Sequence, residues 1–160
     1  MKKILAVSSV FAVVAGIVLV VGGIWGIRFT YQNIAQENIV TPADAAIPEA
    51  PVRGPFTLKA QADIIRFHTL KATGGKTYAE MPRQIPKLDE DGKEVIGVDG
   101  KPVMVENTAR DMWITATTLR TALHLGILTY VFSGFIILFG FVSIWTGLVF
   151  RALARRERNA

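Results

Sequence analysis

The 160-residue sequence contains no cysteine, and its two longest apolar runs contain no charged residue. The missing cysteine excludes disulfide bonds, thioether-linked haem, thiolate metal sites and a lipid-modified cysteine. The two uncharged runs cover residues 4–27 and 125–150, and both exceed the roughly 20 residues that a helix needs to cross a bilayer. A charge at mid-bilayer costs about 2.5–3.5 kcal/mol, so these runs suit a membrane interior. We therefore predict two transmembrane helices.

Two other interpretations of these runs are weaker. Buried helices of a water-soluble protein can be apolar all round, but the rest of the chain, roughly 100 residues, is too short to cover two of them. A cleaved signal peptide usually has an apolar part of about 7–15 residues. No cleavage pattern follows the first run closely, since Ala43-Asp44-Ala45 lies well beyond it. We predict an uncleaved signal anchor over residues 4–27, after a cytoplasmic segment 1–3.

The formal net charge of +5 comes from the two ends of the chain, because residues 28–124 hold 12 basic and 12 acidic side chains. Six basic residues lie at the terminal ends of the apolar runs: Lys2, Lys3, Arg151, Arg155, Arg156 and Arg158. Three lie at or near the other ends: Arg28, Arg110 and Arg120. Basic residues near the ends of spans favour the cytoplasmic side. We predict that both termini are cytoplasmic and that residues 28–124 are extracytoplasmic.

The basic balance also bears on partners. The sequence pI is about 9.7, a value that nucleic-acid-binding proteins often share. Here, however, the excess basic residues flank the apolar runs, where attraction to anionic lipid head groups accounts for them. We predict a lipid bilayer as a partner and no nucleic acid.

The extracytoplasmic module, residues 28–107, is predicted to have three parts. Residues 28–56 contain several prolines that break any long helix and predict an extended tether. Residues 57–73 have helical periodicity and end before Gly74-Gly75, a helix-stop signal. Residues 94–105 contain Asp99-Gly100 between apolar segments, which predicts a β-hairpin.

A second helix is predicted to follow the module without a break. Thr108 and Asp111 have the spacing of a capping box, with Asp in place of Glu. Nothing after Thr108 interrupts the helix before Arg151. We therefore predict a projecting helix over residues 108–124, continuous with the span 125–150, and a basic cytoplasmic tail over 151–160.

Chemistry-bearing residues are few. His68 has no His, Asp or Glu three or four positions away, and His124 lies at the outer end of the second span. The acidic residues near Gly92 do not match a calcium-binding loop, and Gly74-Gly75-Lys76-Thr77 lacks the leading glycine of a phosphate loop. No Ser/His/Asp or Cys/His set can be assembled. We predict no catalytic, cofactor-binding or metal site, and hence no enzyme.

Small residues recur in both apolar runs at a spacing that allows close approach of membrane helices. The pairs are Ala12/Gly16 and Gly22/Gly26 in the first run and Ser143/Gly147 in the second. Neither run contains an Asp, Glu, Lys or Arg side chain for a proton relay or an ion site. Transport by one copy of this chain is therefore not expected, whereas pairing of the two helices is.

Several segments resemble a family of small two-span actinobacterial membrane proteins. These are the start Met1-Lys2-Lys3-Ile4, the block Gly54-Pro55-Phe56-Thr57 and the block Ala72-Thr73-Gly74-Gly75-Lys76-Thr77-Tyr78-Ala79-Glu80. The resemblance covers residues 1–80 and 108–154, so residues 81–107 correspond to an insertion. It implies a bacterial plasma membrane. Members are often labelled aromatic ring-opening dioxygenases, but such enzymes need iron held by two His and a carboxylate. The two histidines here are far apart in sequence.

Together these features predict an α-helical membrane protein with two transmembrane helices and a small mixed α+β extracytoplasmic module. The module has few apolar residues of its own, and Ile64, Ile65, Phe67, Met112 and Trp113 are expected to need cover. We therefore expect a non-catalytic accessory subunit of a larger membrane protein complex, for which a respiratory-chain assembly is one candidate host. The alternative is a stand-alone extracytoplasmic ligand-binding or envelope-stress protein.

Overall fold

The protein consists mainly of two long helices joined by a smaller folded segment. The structure, a computed structural model, describes residues 2–159, with side chains for residues 3–156. Its helices and strands are α1 (Lys2–Gln36), α2 (Pro55–Ala72), a short 3-10 helix (Tyr78–Glu80), β1 (Gln84–Pro86), β2 (Met104–Glu106) and α3 (Thr108–Asn159). Helices α1 and α3 are long and apolar enough to cross a membrane.

The surfaces of α1 and α3 fit a membrane protein. Only 11% of the residues in the most apolar stretch of each helix are buried inside the chain. Large side chains point outward along both helices; Phe11 is 75% exposed and Trp145 is 70% exposed. A core helix of a water-soluble protein would have this surface covered by protein, whereas lipid tails can cover it here.

Helices α1 and α3 pack against each other in an antiparallel pair along a row of small residues. The residues in the interface are Ser9, Gly16 and Gly23 on α1, and Ser133, Gly140 and Gly147 on α3. Each row advances by seven residues, and the residue numbers of every facing pair add to the same total. A repeat of seven is the period of a left-handed coiled coil, so the same face of each helix stays in contact over the whole length.

The two backbones touch at these positions. A Cβ atom added to Gly16 would lie 2.6 Å from the Gly140 carbonyl oxygen, and one added to Gly140 would lie 2.8 Å from the Gly16 carbonyl oxygen. The Ser143 hydroxyl donates a 2.8 Å hydrogen bond to the Ala12 carbonyl oxygen. Small side chains are therefore needed here, because any larger one would force the helices apart.

The predicted small-residue pairs are placed correctly with one exception. Gly16 and Gly147 each lie close to the backbone of the opposite helix, and Gly26 lies against the side chain of Ser133. Gly22 was expected at the interface, but a Cβ added there would meet nothing within 4 Å. Gly23 takes its place, because the contact repeats every seven residues and not every four.

The extended tether predicted over residues 28–56 is wrong in two ways. Helix α1 continues past the apolar run to Gln36, since the first proline comes only at position 42. The loop that follows is closed by hydrogen bonds. The Thr41 hydroxyl, on a residue only 2% exposed, donates to the Ile47 carbonyl at 2.5 Å and accepts from the Ala50 amide at 2.9 Å. Asn38, with a φ of 51°, follows the end of α1, and the prolines lie farther along, inside a compact turn.

Helix α2 begins two residues before the predicted start and ends at Ala72, one residue before the predicted end. Gly54 precedes it and Pro55 is its first residue, where proline is favoured because its missing N–H has no helical partner. At the other end Gly75 adopts a φ of +81°, and its amide donates to the Leu70 carbonyl at 2.7 Å. This is the glycine stop that the sequence predicts.

The predicted hairpin belongs to a larger β-ribbon. Strand β1 pairs with β2 in antiparallel register, with Ile85 opposite Val105. The two Asp-Gly turns lie between these strands, and single bridges close them: Leu88 with Glu94, and Ile96 with Pro102. The predicted hairpin 94–105 is thus only one turn of the ribbon. The longest pairing in the ribbon joins residues 104–106 to residues 84–86, which lie before the predicted hairpin in sequence.

Three segments of the ribbon close on one another through a ring of backbone hydrogen bonds. The Lys87 amide donates to Val103 at 2.7 Å, the Val103 amide donates to Val95 at 2.8 Å, and the Val95 amide donates to Lys87 at 2.8 Å. Each of the three residues therefore uses both its amide and its carbonyl. This closure stabilises strands that would be too short to persist as a lone hairpin.

Helix α3 starts at Thr108, as predicted, but its capping residue is different. The Asn107 side-chain oxygen accepts the amide of Ala109 at 3.2 Å, and the Asn107 side-chain amide donates to the Pro82 carbonyl at 3.0 Å. Asn107 thus caps the helix and also ties it to the segment before β1. The cap thus lies one residue before Thr108, the residue that was proposed to form a capping box with Asp111.

A small hydrophobic core lies where the end of α1 and the first half of α2 meet the side of α3. Its members are Val52, Leu58, Ala62 and Leu123, with Ile34, Ile39, Ile65, Ile127 and Tyr130 packed against them. The core thus draws on α1, the 37–54 loop, α2 and α3. The Tyr130 hydroxyl donates to the Arg53 carbonyl at 2.6 Å and closes one side of it.

Candidate interaction surfaces

Helix α2 and the segment after it cover one side of the first half of α3. The Trp113 indole N–H donates to the Lys76 carbonyl at 2.9 Å and lies 3.3 Å from the Thr73 hydroxyl. Further along, Nε of Arg120 donates to the Ala62 carbonyl at 3.1 Å. These contacts fix α2 along α3. The sequence alone does not indicate partners for Trp113 and Arg120, because the carbonyl groups that they bind are distant in sequence.

The chain itself covers three of the five apolar residues that were expected to need a partner. Trp113 is 6% exposed and Ile64 is 7% exposed, and Ile65 packs against the core. Phe67 and Met112 do remain exposed. The segment after α2 covers Trp113, and Val52 of the 37–54 loop belongs to the small core against which Ile65 packs. The chain therefore covers part of this apolar surface itself, and no local signal in the sequence indicates that the loop takes part.

A different side of α3 is left open, and we call it the α3 face. It is a shallow groove of about 640 Å³. Its lining residues are Tyr78, Trp113, Ile114, Thr117, Thr118, Thr121, Ala122 and Leu125. Six of them follow the helical spacing of one stripe, and none of the eight is charged.

The charged and ionisable residues of this part of α3 lie elsewhere. Arg120 points to α2, and the Arg110 guanidinium stacks 3.9 Å above the Tyr78 ring and donates to the Met81 carbonyl. Arg110 therefore lies at the rim of the α3 face, already bound. The face itself presents threonine hydroxyls, one alanine and the side chains of Ile114 and Leu125.

His68, which has no acidic neighbour along its helix, acquires one from the loop. Its Nε2 lies 2.6 Å from Oδ2 of Asp44, and both side chains are about half exposed. The hydrogen bond from His68 is the main cause that lowers the pKa of the Asp44 carboxyl, and the positive charge of Lys71 adds to it. The pair ties the 41–50 loop to α2. No spacing pattern in the sequence signals it, because 24 residues separate the partners.

Among the side chains that the structure describes, those of residues 3–156, no group of three or more His, Asp or Glu comes together as a metal site would require. His124 is exposed on α3. The Asp44–His68 pair brings two such side chains together, which is fewer than a stable zinc or iron site uses.

The other motifs weighed from the sequence stabilise turns. Asp89 Oδ1 accepts the amides of Asp91 and Lys93 at 3.0 and 2.8 Å, as a turn-forming aspartate does. In the Gly-Lys-Thr segment, the Glu80 carboxylate accepts the Thr77 amide at 2.6 Å and the Thr77 hydroxyl at 2.7 Å. These bonds lower the pKa of Glu80. The Thr77 amide and hydroxyl, which a bound phosphate would need as donors, are therefore both bonded to Glu80.

A polar groove of about 390 Å³ lies beside the α3 face, between the ribbon and the start of α3. Arg83, Glu106, Arg110 and Asp111 contribute charges of both signs to it. Arg110 is engaged with the Met81 carbonyl. The Asn107 side chain, at its floor, is also satisfied within the chain. Arg83, Gln84, Glu106 and Asp111 remain along the groove as polar side chains that a ligand could contact.

Comparison of the chain with protein-family models, with curated proteins and with solved structures finds no match. The assignment of function therefore depends on the chemistry of the surfaces described above.

Proposed function

We propose that this protein is a non-catalytic accessory subunit of a larger membrane protein complex and that the α3 face is its contact surface. The observation that carries the proposal is an exposed, uncharged helix face outside the apolar run, on a part of α3 that the chain covers on one side only.

The position of this face relative to the membrane follows from the helix register. Continuing the antiparallel pairing of Gly23 with Ser133 by five residues along each helix places Arg28, the first charge after the apolar run of α1, level with Leu128. Residues 108–127 of α3 then extend beyond that level by about 30 Å, at 1.5 Å per residue. The α3 face begins near the lipid surface and rises through most of this length.

Water normally selects charged side chains on an exposed helix, so a stripe without any favours a covered surface. Lipid tails cannot cover it, because the hydrocarbon core ends near Arg28 and the face rises about 17 Å from Leu125 to Ile114, at 1.5 Å per residue. Threonine and alanine side chains permit close approach of another helix, and Ile114 and Leu125 supply apolar contacts at either end. A second polypeptide that projects from the same membrane fits these properties.

In this proposal both termini are cytoplasmic, residues 28–124 face outward and the membrane is a bacterial plasma membrane. The positive excess at the two chain ends supports the orientation, and the family resemblance supports the choice of membrane. The stand-alone ligand-binding alternative depends on the 390 Å³ polar groove, in which Asn107 and Arg110 are already bound within the chain and the other charged side chains are of both signs.

A photo-reactive amino acid at Thr121, inside the α3 face, tests the proposal in the native membrane. We expect cross-links to one defined polypeptide and comigration with it on a native gel in mild detergent. Thr115 is a matched control, because it is an exposed threonine on the same helix, outside the face and about 120° around the helix axis.

The substitution Thr121→Arg should shift the protein to its free form on the native gel, whereas Thr115→Arg should leave it in the complex. Both variants should still insert, because the apolar runs alone determine insertion. A wild-type protein that runs alone, with equal cross-linking at both positions, would contradict the subunit proposal and favour the stand-alone alternative.

A further inference from the structure

The end of the helix pair that carries both termini contains a second groove, with chemistry unlike that of the α3 face. It has a volume of about 670 Å³ and lies between α1 and α3. Three basic side chains lie along it: Lys3, Arg151 and Arg155. Its other lining residues are apolar or small, with Val10 and Val13 among them, and none is acidic.

The helix register explains why the basic residues converge. Arg151 and Arg155 are four residues apart, so they lie on the same side of α3, one turn from each other. The antiparallel pairing places Lys3 of α1 at a level between them. Helix α1 also begins here, so its unpaired backbone amides add partial positive charge at the same end.

The groove therefore combines a cationic rim with an apolar wall that leads along α1 into the membrane. Val10 belongs to this wall and also to the adjoining apolar surface with Val7, Phe11 and Val14. A free anion would use the rim and make no contact with the wall. An anionic phospholipid uses both, since its phosphate meets the basic side chains and its acyl chain covers the valines.

We propose that this groove is a binding site for one anionic phospholipid, held by Lys3, Arg151 and Arg155 with an acyl chain against Val10. Basic pockets between membrane helices bind anionic lipid head groups in this manner. The site is independent of the α3 face and of any partner subunit, and it holds one lipid in a fixed place. A diffuse attraction of the basic chain ends to a charged leaflet would not do so.

Native mass spectrometry of the full-length purified protein provides the test. With phosphatidylglycerol and phosphatidylcholine of identical acyl chains, we expect one phosphatidylglycerol to be retained per chain and phosphatidylcholine to be lost. Glycerol phosphate, the head group without acyl chains, should not displace the bound lipid. Equal retention of both lipids, or displacement by glycerol phosphate at equal concentration, would overturn the proposal.

Two matched pairs of variants locate the site. Arg155→Gln should weaken retention about fivefold, the effect of one basic residue near a lipid surface, whereas Arg156→Gln removes the same charge outside the groove and should have little effect. Val10→Trp should block the acyl chain, whereas Val18→Trp should not; both valines are 64% exposed, and only Val10 lines the groove. Equal losses within either pair would show diffuse attraction only and overturn the proposal.

Discussion

The Ser9 hydroxyl of α1 donates a 2.7 Å hydrogen bond to the Gly147 carbonyl oxygen of α3, across 138 residues of sequence. Both groups lie inside the helix pair, where Ser9 is only 3% exposed. The bond is possible because Gly147 has no side chain to keep the two backbones apart; a Cβ there would lie 2.9 Å from the Ser9 carbonyl oxygen. Close packing and hydrogen bonding therefore depend on the same small residues.

The first prediction concerns this packing. We expect Gly140→Ala to destabilise the helix pair by about 1–3 kcal/mol, because the new methyl group meets the backbone of α1. Gly134→Ala is the control on the same helix, since a Cβ there meets nothing within 4 Å. It should be neutral or stabilising by up to about 1 kcal/mol, the helix-propensity difference. Reversible unfolding in detergent measures both, and equal effects would show that the helices do not pack here.

The sequence predicted the two long helices, the stop at Gly74 and the turns at the Asp-Gly pairs, because each depends on neighbouring residues. The helix contact was predicted only in part. The row Ser9, Gly16, Gly23 is visible in the sequence as a repeat of seven, whereas the predicted small-residue pairs are four residues apart. That spacing selected Gly22, which lies outside the contact.

The contacts that were not predicted all join residues distant in sequence. Asp44 meets His68, Trp113 meets Lys76 and Asn107 meets Pro82 only once the helices have packed. Local patterns contain no information on such pairs. The α3 face was missed for a related reason: it is defined by the absence of α2 from one side of α3, and the side that α2 takes depends on tertiary packing.

The second prediction concerns Trp113. Because its indole is buried and bonded to the Lys76 carbonyl, we expect Trp113→Ala to destabilise the module by about 3–5 kcal/mol. Trp113→Phe retains most of the ring and loses the N–H bond, at a cost of about 1 kcal/mol. Hydrogen exchange of residues 73–81 should rise strongly in the first variant and slightly in the second. An unchanged exchange rate in Trp113→Ala would contradict this packing.

The third prediction concerns orientation. The basic excess at the chain ends predicts cytoplasmic termini, so a reporter that is active only after export should be inactive when fused at residue 160. The same reporter inserted within 86–106 should be active. Activity of the reporter at residue 160 would show that the C-terminus is extracytoplasmic and would contradict the predicted orientation.

The fourth prediction concerns metals. We expect purified protein to contain no stoichiometric iron or zinc, and the double variant His68→Gln, His124→Gln to have the same metal content as the wild type. The reason is that two ligands, Asp44 and His68, are too few for either ion. Elemental analysis after mild purification decides the matter, and one bound iron per chain that is lost in the double variant would contradict it.

The last prediction concerns the Asp44–His68 pair and acid. His68 lowers the pKa of Asp44 below its ordinary value of 3.8. A carboxyl whose pKa is lower in the folded protein stabilises the fold above its unfolded pKa, and this contribution is lost as the pH falls through the folded pKa. We therefore expect the pair to hold the 41–50 loop at neutral pH and to release it only below about pH 4.

His68→Gln removes the main cause of the shift, so the Asp44 pKa should rise towards 3.8 in a carboxyl NMR titration. Glu80 is an internal control in the same titration, because Thr77 lowers its pKa and His68 has no part in that shift. If the Asp44 pKa stays where it is in the wild type, the 2.6 Å contact between the two side chains is not the source of the shift.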